Sequence, residues 1–158
     1  MRIIGIDPGT ATTGFSILEK KDGKIRLLEY GCIRTAKSLS PATRLNHIAT
    51  DLETLIKKWH PTHSSIEKLF FNKNVKTAIS VAEARGVILQ TFARYDIPQE
   101  EFTPHQIKQA VCGYGKADKK MVQKMIQLLL KLKEIPKPDD AADAIAAAIC
   151  SANTLKIK

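Results

Sequence analysis

Cysteine is scarce in this 158-residue chain: Cys32, Cys112 and Cys150 are odd in number, far apart and mostly set in apolar stretches. That excludes a disulfide framework and a zinc knuckle, and predicts a reduced, cytoplasmic protein. Long apolar runs are missing too. None approaches the ~18–20 residues that a membrane-spanning helix needs. The opening, Met1 to Asp7, reads as too short and too soon acidic for a secretory leader. No repeat, low-complexity tract or Gly/Ser linker divides the chain, so residues 1–158 are expected to form one domain. A Gly-x-x-x-x-Gly-Lys-Thr phosphate loop is also absent.

Acidic residues are outnumbered. Twenty-five Lys and Arg face 16 Asp and Glu, a net charge of +9. An excess of that size makes a polyanion the expected partner. The remaining composition, 44% hydrophobic and 26% charged with a mean hydropathy of -0.16, is that of an ordinary soluble domain.

Strands come first. Ile3 to Ile6, Gly14 to Leu18 and Ile25 to Tyr30 read as strands, separated by the turn-forming Asp7-Pro8-Gly9-Thr10 and Lys21-Asp22-Gly23-Lys24. Ser40-Pro41 signals a helix start, and Leu45, Ile48, Leu52, Leu55, Ile56 and Trp59 keep one helical face. His60-Pro61 ends that helix, and His60-Pro61-Thr62-His63 reads as loop, its spacing unlike a zinc ligand set. Ser64 to Phe70, continuing to Phe71, is a fourth strand. A helix over about 75–95 carries Gly86 in its interior, a cost of ~1 kcal/mol that a close neighbouring backbone, such as a partner helix, would offset. Glu101 to Thr103 is a weak fifth strand. Thr103-Pro104 then opens a helix that Gly113-Tyr114-Gly115 breaks, a basic helix is expected from Asp118 to Lys133, and a last one from Asp139 to Ala152. This order predicts an α/β sandwich on a mixed sheet.

The informative residues are acids in apolar company. Asp7 ends a strand of Ile and Gly, Glu67 follows Ile66, and Asp140 and Asp143 share a face of an Ala-rich helix. Singly, each has a plain structural role: Asp7 in a turn, Glu67 on an outward strand face, the Asp pair capping a helix. Together they read as a cluster at strand ends, with small helix residues permitting close approach to the sheet. Like charges raise one another's pKa, and a divalent cation resolves that conflict. All-oxygen ligands favour Mg²⁺ or Mn²⁺ over zinc, and two such ions ~3.5–4 Å apart suit phosphodiester hydrolysis.

Five ordered motifs resemble those of the RuvC family of bacterial Holliday junction resolvases: Gly5-Ile6-Asp7-Pro8-Gly9-Thr10, Gly31-Cys32-Ile33-Arg34-Thr35, Ile66-Glu67, Glu83-Ala84-Arg85-Gly86 and Asp140-Ala141-Ala142-Asp143-Ala144. The resemblance covers nearly the whole chain. It implies a ribonuclease H-like fold, with a five-stranded mixed sheet and helices on both faces. It also implies a homodimer, partnership with RuvA and RuvB, and Mg²⁺-dependent paired nicking of four-way DNA junctions in recombination and repair, with one or two ions per site and Mn²⁺ as a substitute. The family's acids carry over to Asp7, Glu67, Asp140 and Asp143. One departure is local. Asp139 precedes Asp140, and because Asp139–Asp143 and Asp140–Asp143 are both helical neighbours, spacing does not choose between them; motif alignment favours Asp140 and leaves Asp139 as a cap.

From Pro104 to Lys133 there are seven lysines (Lys108, Lys116, Lys119, Lys120, Lys124, Lys131, Lys133) and one acid, Asp118. Part of this is a solvated helix face; its concentration beside the acidic helix suggests a phosphate-tracking surface through Lys108, Lys116, Lys119, Lys120 and Lys124. The resemblance places Lys108 and Lys119 near the scissile phosphate and Phe70 against an unpaired base. His105, by contrast, is expected in solvent. Two rival readings remain: an actin- or sugar-kinase-like nucleotide-binding domain, suggested by Asp7-Pro8-Gly9-Thr10, and a non-catalytic DNA-binding module, suggested by the charge.

Overall fold

A two-residue turn starts the sheet. In the computed structural model, which describes residues 1–68 and 75–155, Asp22 and Gly23 both take positive φ, 51° and 74°. That handedness matches the twist of paired strands. The turn joins β2 (Thr12–Lys21) to β3 (Lys24–Arg34) as an antiparallel pair with an irregularity between Ile17 and Leu18. β1 (Arg2–Asp7) pairs antiparallel with β2 and parallel with β4 (His63–Glu67), and β4 pairs parallel with β5 (Gln99–Phe102). The order β3-β2-β1-β4-β5 is the expected five-stranded mixed sheet.

Several boundaries differ from the sequence reading. β3 runs on through Gly31-Cys32-Ile33-Arg34, because that stretch pairs with Thr12 to Phe15. His63 is the first residue of β4 rather than loop, drawn into the ladder opposite Ile3. β4 ends at Glu67; its expected continuation to Phe70 and Phe71 lies outside the described residues.

Capping explains where the helices begin. α1 (Pro41–Trp59) starts where the Ser40 hydroxyl accepts the Thr43 N–H at 3.2 Å. After α2 (Val75–Arg94), α3 (Pro104–Cys112) opens on a reciprocal capping box between Thr103 and Gln106. α4 (Lys119–Leu129) is capped by Asp118, which accepts from Met121 N–H at 2.8 Å. It ends four residues before Lys133. Lys131 turns left-handed, φ 52°, and the Leu132 N–H bonds back to the Gln127 carbonyl, a helix-terminating motif. α5 (Asp139–Thr154) has Pro138 at its cap position with no side-chain cap, so Asp139 is not the cap.

Strand alternation sorts the core into two layers. Ile4, Ile6, Ile17 and Ile33 pack with Ile48, Leu52, Ile88 and Phe92 of α1 and α2. Ile3 and Leu18 pack on the other side with α3, α4 and α5. Helices therefore cover both faces. Among the described residues no helix is long and apolar enough to cross a membrane.

Candidate active site

Alternation along β1 puts Asp7 on the same side as Ile3 and Gly5, facing α5. In β4, Ser65 and Glu67 share that side, and the Ser65 hydroxyl donates to the Ala147 carbonyl at 2.6 Å. The docking of α5 is unusually close. A Cβ at Gly5 would collide with the Ala144 carbonyl oxygen and the Ala148 methyl, and one at Gly14 with the Asp140 carbonyl. Ser16 adds a hydrogen bond to the Ala144 carbonyl at 3.0 Å. The first turns of α5 thus lie on the strand backbones, which carries Asp140 and Asp143 to the C-terminal ends of β1 and β4. The sequence reading found the small residues of the helix. It missed the complementary Gly5, Gly14, Ser16 and Ser65, whose signal was a row of small residues facing one side of adjacent strands.

The four carboxylates share one electrostatic environment. Burial pushes Asp7 up to about 8, with Asp143, Glu67 and Asp140 adding to the rise and Lys119 opposing it. Burial also raises Glu67, as does Asp143, against the pull of Lys108 and Lys119. Asp143 is raised by burial as well, with Lys119 opposing and Asp139 and Asp140 reinforcing. Asp7, Glu67 and Asp143 each resist ionising in this company, which is the electrostatic condition a divalent cation relieves. Their oxygens form a hard donor set suited to Mg²⁺ or Mn²⁺. Among the described residues, no three acidic, imidazole or thiol groups are drawn into a closed ligand cluster. Two of the acids border an open groove of about 290 Å³, where Glu67 and Asp143 face Lys108 and Lys119 over Ile107 and Val122.

Lys119 Nζ lies 3.1 Å from Asp143 Oδ2 and 3.2 Å from Asp139 Oδ2. Burial alone would lower its pKa, but Asp143 and Asp139 outweigh it and the ammonium is held charged. Asp139 reaches α4, accepting from Gln123 Nε2 at 2.9 Å, and Lys119 holds its carboxyl below the usual range. Asp140, by contrast, acts directly on Asp7. This bridge was not legible in the sequence, which left Asp139 as a cap.

The other expected residues fall around the groove or beyond it. Lys116, Lys120 and Lys124 are exposed on the α3–α4 loop and α4. Phe70 lies outside the described residues. His105 is exposed as expected, its ring packed where a Cβ on Gly115 would sit. Among the described residues nothing lies within 4 Å of where a Cβ on Gly86 would sit, so none of them makes the close approach that would offset its cost.

The family model for Crossover junction endodeoxyribonuclease RuvC matches residues 3–151. The crossover junction endodeoxyribonuclease RuvC of Heliobacterium modesticaldum is 52% identical over 155 residues, spanning 98% of this chain and 96% of that protein. That of Halothermothrix orenii is 50% identical over 157 residues, spanning 99% and 95%. The solved structure of Thermus thermophilus RuvC in complex with Holliday junction substrate superposes with a TM-score of 0.90 at 31% identity, covering 95% of this chain and 92% of that one. The ribonuclease H-like class implied by the motifs is therefore the observed one. The match in sequence and in fold extends over almost the whole chain, and the chain belongs to the RuvC family of crossover junction endodeoxyribonucleases.

Proposed function

We propose that this chain is a structure-selective endonuclease that resolves four-way (Holliday) DNA junctions in recombination and repair by paired hydrolytic nicks. Residues 1–158 act as one nuclease domain. The observation that carries the reading is the close seat of α5 on Gly5 and Gly14, which brings Asp143 beside Glu67 in a groove bordered by lysines and within electrostatic reach of Asp7.

Asp7, Glu67, Asp140 and Asp143 would hold one or two Mg²⁺ ions, with Mn²⁺ as a substitute, which when bound would supply an activated water and neutralise charge on the phosphate oxygens. The chain's own residues do the rest. Burial raises Asp7, so below about pH 8 its ionisation to hold a cation would be coupled to release of a proton. Lys108 and Lys119, on opposite helices of the groove, take up charge on the non-bridging phosphate oxygens. Lys116, Lys120 and Lys124 extend that positive surface along the DNA backbone. Phe70, just past Glu67 in sequence, stacks on a base unpaired at the crossover.

A four-way junction is near two-fold symmetric, so a C₂ homodimer can cut opposed strands and leave ligatable nicks. α2 is the proposed interface: Ile79 is 69% exposed, and Gly86 on the same helix leaves open space where a partner backbone can approach. The partners in this reading are junction DNA, a second copy and the RuvA and RuvB branch-migration proteins, in the cytoplasm.

The test is cleavage of a synthetic four-way junction with and without Mg²⁺. Wild type is expected to give paired, symmetric nicks only with the metal, and Asp7→Asn to lose at least about a hundredfold in rate while still shifting the junction on a gel. Metal-independent binding with no nicking by wild type would leave a DNA-binding module instead.

A further inference from the structure

Lys119 is held from two sides, and only one of its holders belongs to the acidic cluster. Asp143 faces the groove with Glu67. Asp139 stands one turn earlier on α5, with its side chain 64% exposed, and both of its oxygens are engaged by α4: Oδ2 by Lys119 at 3.2 Å, Oδ1 by Gln123 at 2.9 Å. Lys119 and Gln123 are themselves one turn apart, so Asp139 sits in a fork on α4.

The two holders differ in what a divalent ion does to them. In the nuclease reading Asp143 becomes a ligand, and a carboxylate serving a dication has little charge left for an ammonium, which the ion also repels. A lysine tethered only there would be driven out of the groove. Asp139, whose two oxygens are both engaged by α4, keeps its charge for Lys119. An ammonium has three donors; one meets Asp143, Asp139 stands at ion-pair distance, and among the described residues no further partner competes with a phosphate oxygen for the third.

We propose that Asp139 is a positioning residue, which retains the Lys119 ammonium at the rim of the groove, within reach of a DNA phosphate, when Asp143 is engaged by a divalent cation. The inference rests on the nuclease reading above. Fold stability does not account for the bridge, since ion pairs this exposed contribute little. Nor does helix capping, since Pro138 takes the cap position.

The experiment compares wild type, Asp139→Asn, Lys119→Ala and the double variant as full chains. Asp139→Asn is expected to slow single-turnover nicking of a four-way junction about 5–20-fold, with junction affinity within about twofold. In the Lys119→Ala background the same substitution is expected to change nothing further, because no ammonium remains to hold. Two measurements are independent of catalysis. Calorimetric titration of the DNA-free protein with Mn²⁺ is expected to differ less than about threefold between wild type and Asp139→Asn, against at least about tenfold for Asp140→Asn. The ¹⁵N-labelled Lys119 ammonium signal, followed during Mg²⁺ titration, is expected to stay distinct in wild type and to collapse toward free lysine in Asp139→Asn. A tenfold loss of Mn²⁺ affinity in Asp139→Asn would make Asp139 a ligand and overturn the proposal. So would an equal loss of rate in the absence of Lys119, or an unchanged rate with an unchanged lysine signal. A wild-type chain that cuts no junction overturns the nuclease reading alone; the Mn²⁺ titration and the lysine signal then still decide for or against the tether.

Discussion

The two faces of the sheet are packed on opposite plans. Toward α1 and α2 the contacts are bulky: Ile4, Ile6 and Ile17 from the strands meet Ile48, Leu52, Ile88 and Phe92. Toward the start of α5 they are nearly bare: Gly5, Gly14, Ser16 and Ser65 meet the backbone of a helix whose inward residues include Ala144, Ala147 and Ala148. Bulk removes more apolar area from water per residue, so the first face contributes more cohesion. Smallness brings main chains together, which is what four short carboxylates on two strands and a helix need in order to act on one another. The α5 face also carries the unfavourable electrostatics, since burial and mutual repulsion raise Asp7, Glu67 and Asp143 together. Cohesion and chemistry are thus divided between the layers.

The strongest way to break this division is to add bulk to the bare face. A methyl at Gly14 meets the Asp140 carbonyl, a rigid obstacle, so the start of α5 must move. Gly14→Ala is expected to cost about 3 kcal/mol or more in stability and, through the shifted acids, roughly a hundredfold or more in nicking. On the other face, Ile88→Ala removes a fully buried side chain and is expected to cost about 2–5 kcal/mol by leaving a cavity. Its surviving folded molecules are expected to nick within about twofold of wild type. Chemical denaturation and junction cleavage at a temperature where both variants are folded check the pair. Equal damage to nicking per unit of stability lost would mean that the faces do not differ.

Much of the bulky face was legible from the chain, and less of the bare one. The periodic Leu45-to-Trp59 face and the Ser40-Pro41 start define α1 because amphipathicity and capping are local signals. The acids were legible because charges inside apolar stretches are conspicuous, and the Ala-rich run around Asp143 announced a close approach. What it approached was not. Gly5 and Gly14 are distant from α5 in sequence, and glycine in a strand is equally compatible with a turn or a bulge. The early end of α4 depends on a left-handed Lys131, a conformation no propensity assigns to lysine. Asp139 was obscured for a different reason: its partners, Lys119 and Gln123, become neighbours only when α4 packs beside α5.

A smaller effect sharpens the electrostatic side of the comparison. With Asp7 pushed up to about 8, against about 3.9 in an unfolded chain, the metal-free folded state keeps a proton that the unfolded state has released. Between those two values the folded state binds more protons, so stability falls as pH rises. The slope is at most about 1.4 kcal/mol per pH unit for this one group, and it flattens above the higher value. Glu67 and Asp143 are shifted in the same direction and add to it. Asp7→Asn removes the ionisable group and is expected to raise the stability of the metal-free protein at pH 7.5 by roughly 1–2 kcal/mol, the usual relation between a strained site and its host fold. Denaturation in EDTA at pH 5, 6.5 and 8 measures both slopes. An Asp7→Asn protein that is less stable than wild type at pH 7.5 would show that the acids on this face are not under strain.

The smallest effect separates clearance from attachment. α5 is kept near the sheet both by room at Gly5 and Gly14 and by hydroxyls that donate to its carbonyls. Ser65 is fully buried, and its bond to Ala147 spans the two layers two residues before Glu67. Ser65→Ala leaves the space intact and deletes only the donor; the Ala147 carbonyl lies within α5 and retains its helical partner, so no acceptor is stranded. The expected cost is therefore about 1 kcal/mol, that of one ordinary hydrogen bond, with nicking reduced about two- to fivefold through looser placement of Glu67. Thr50→Ala is the matching control on the exposed side of α1, where the hydroxyl donates to the Asn46 carbonyl of its own helix; it is expected to change stability by less than about 0.5 kcal/mol and to leave nicking alone. If Ser65→Ala behaves like Thr50→Ala, clearance at the glycines is sufficient to seat the helix. If it instead slows nicking more than its stability cost predicts, the hydroxyls set the register of the acids, and the bare face is held as well as spaced.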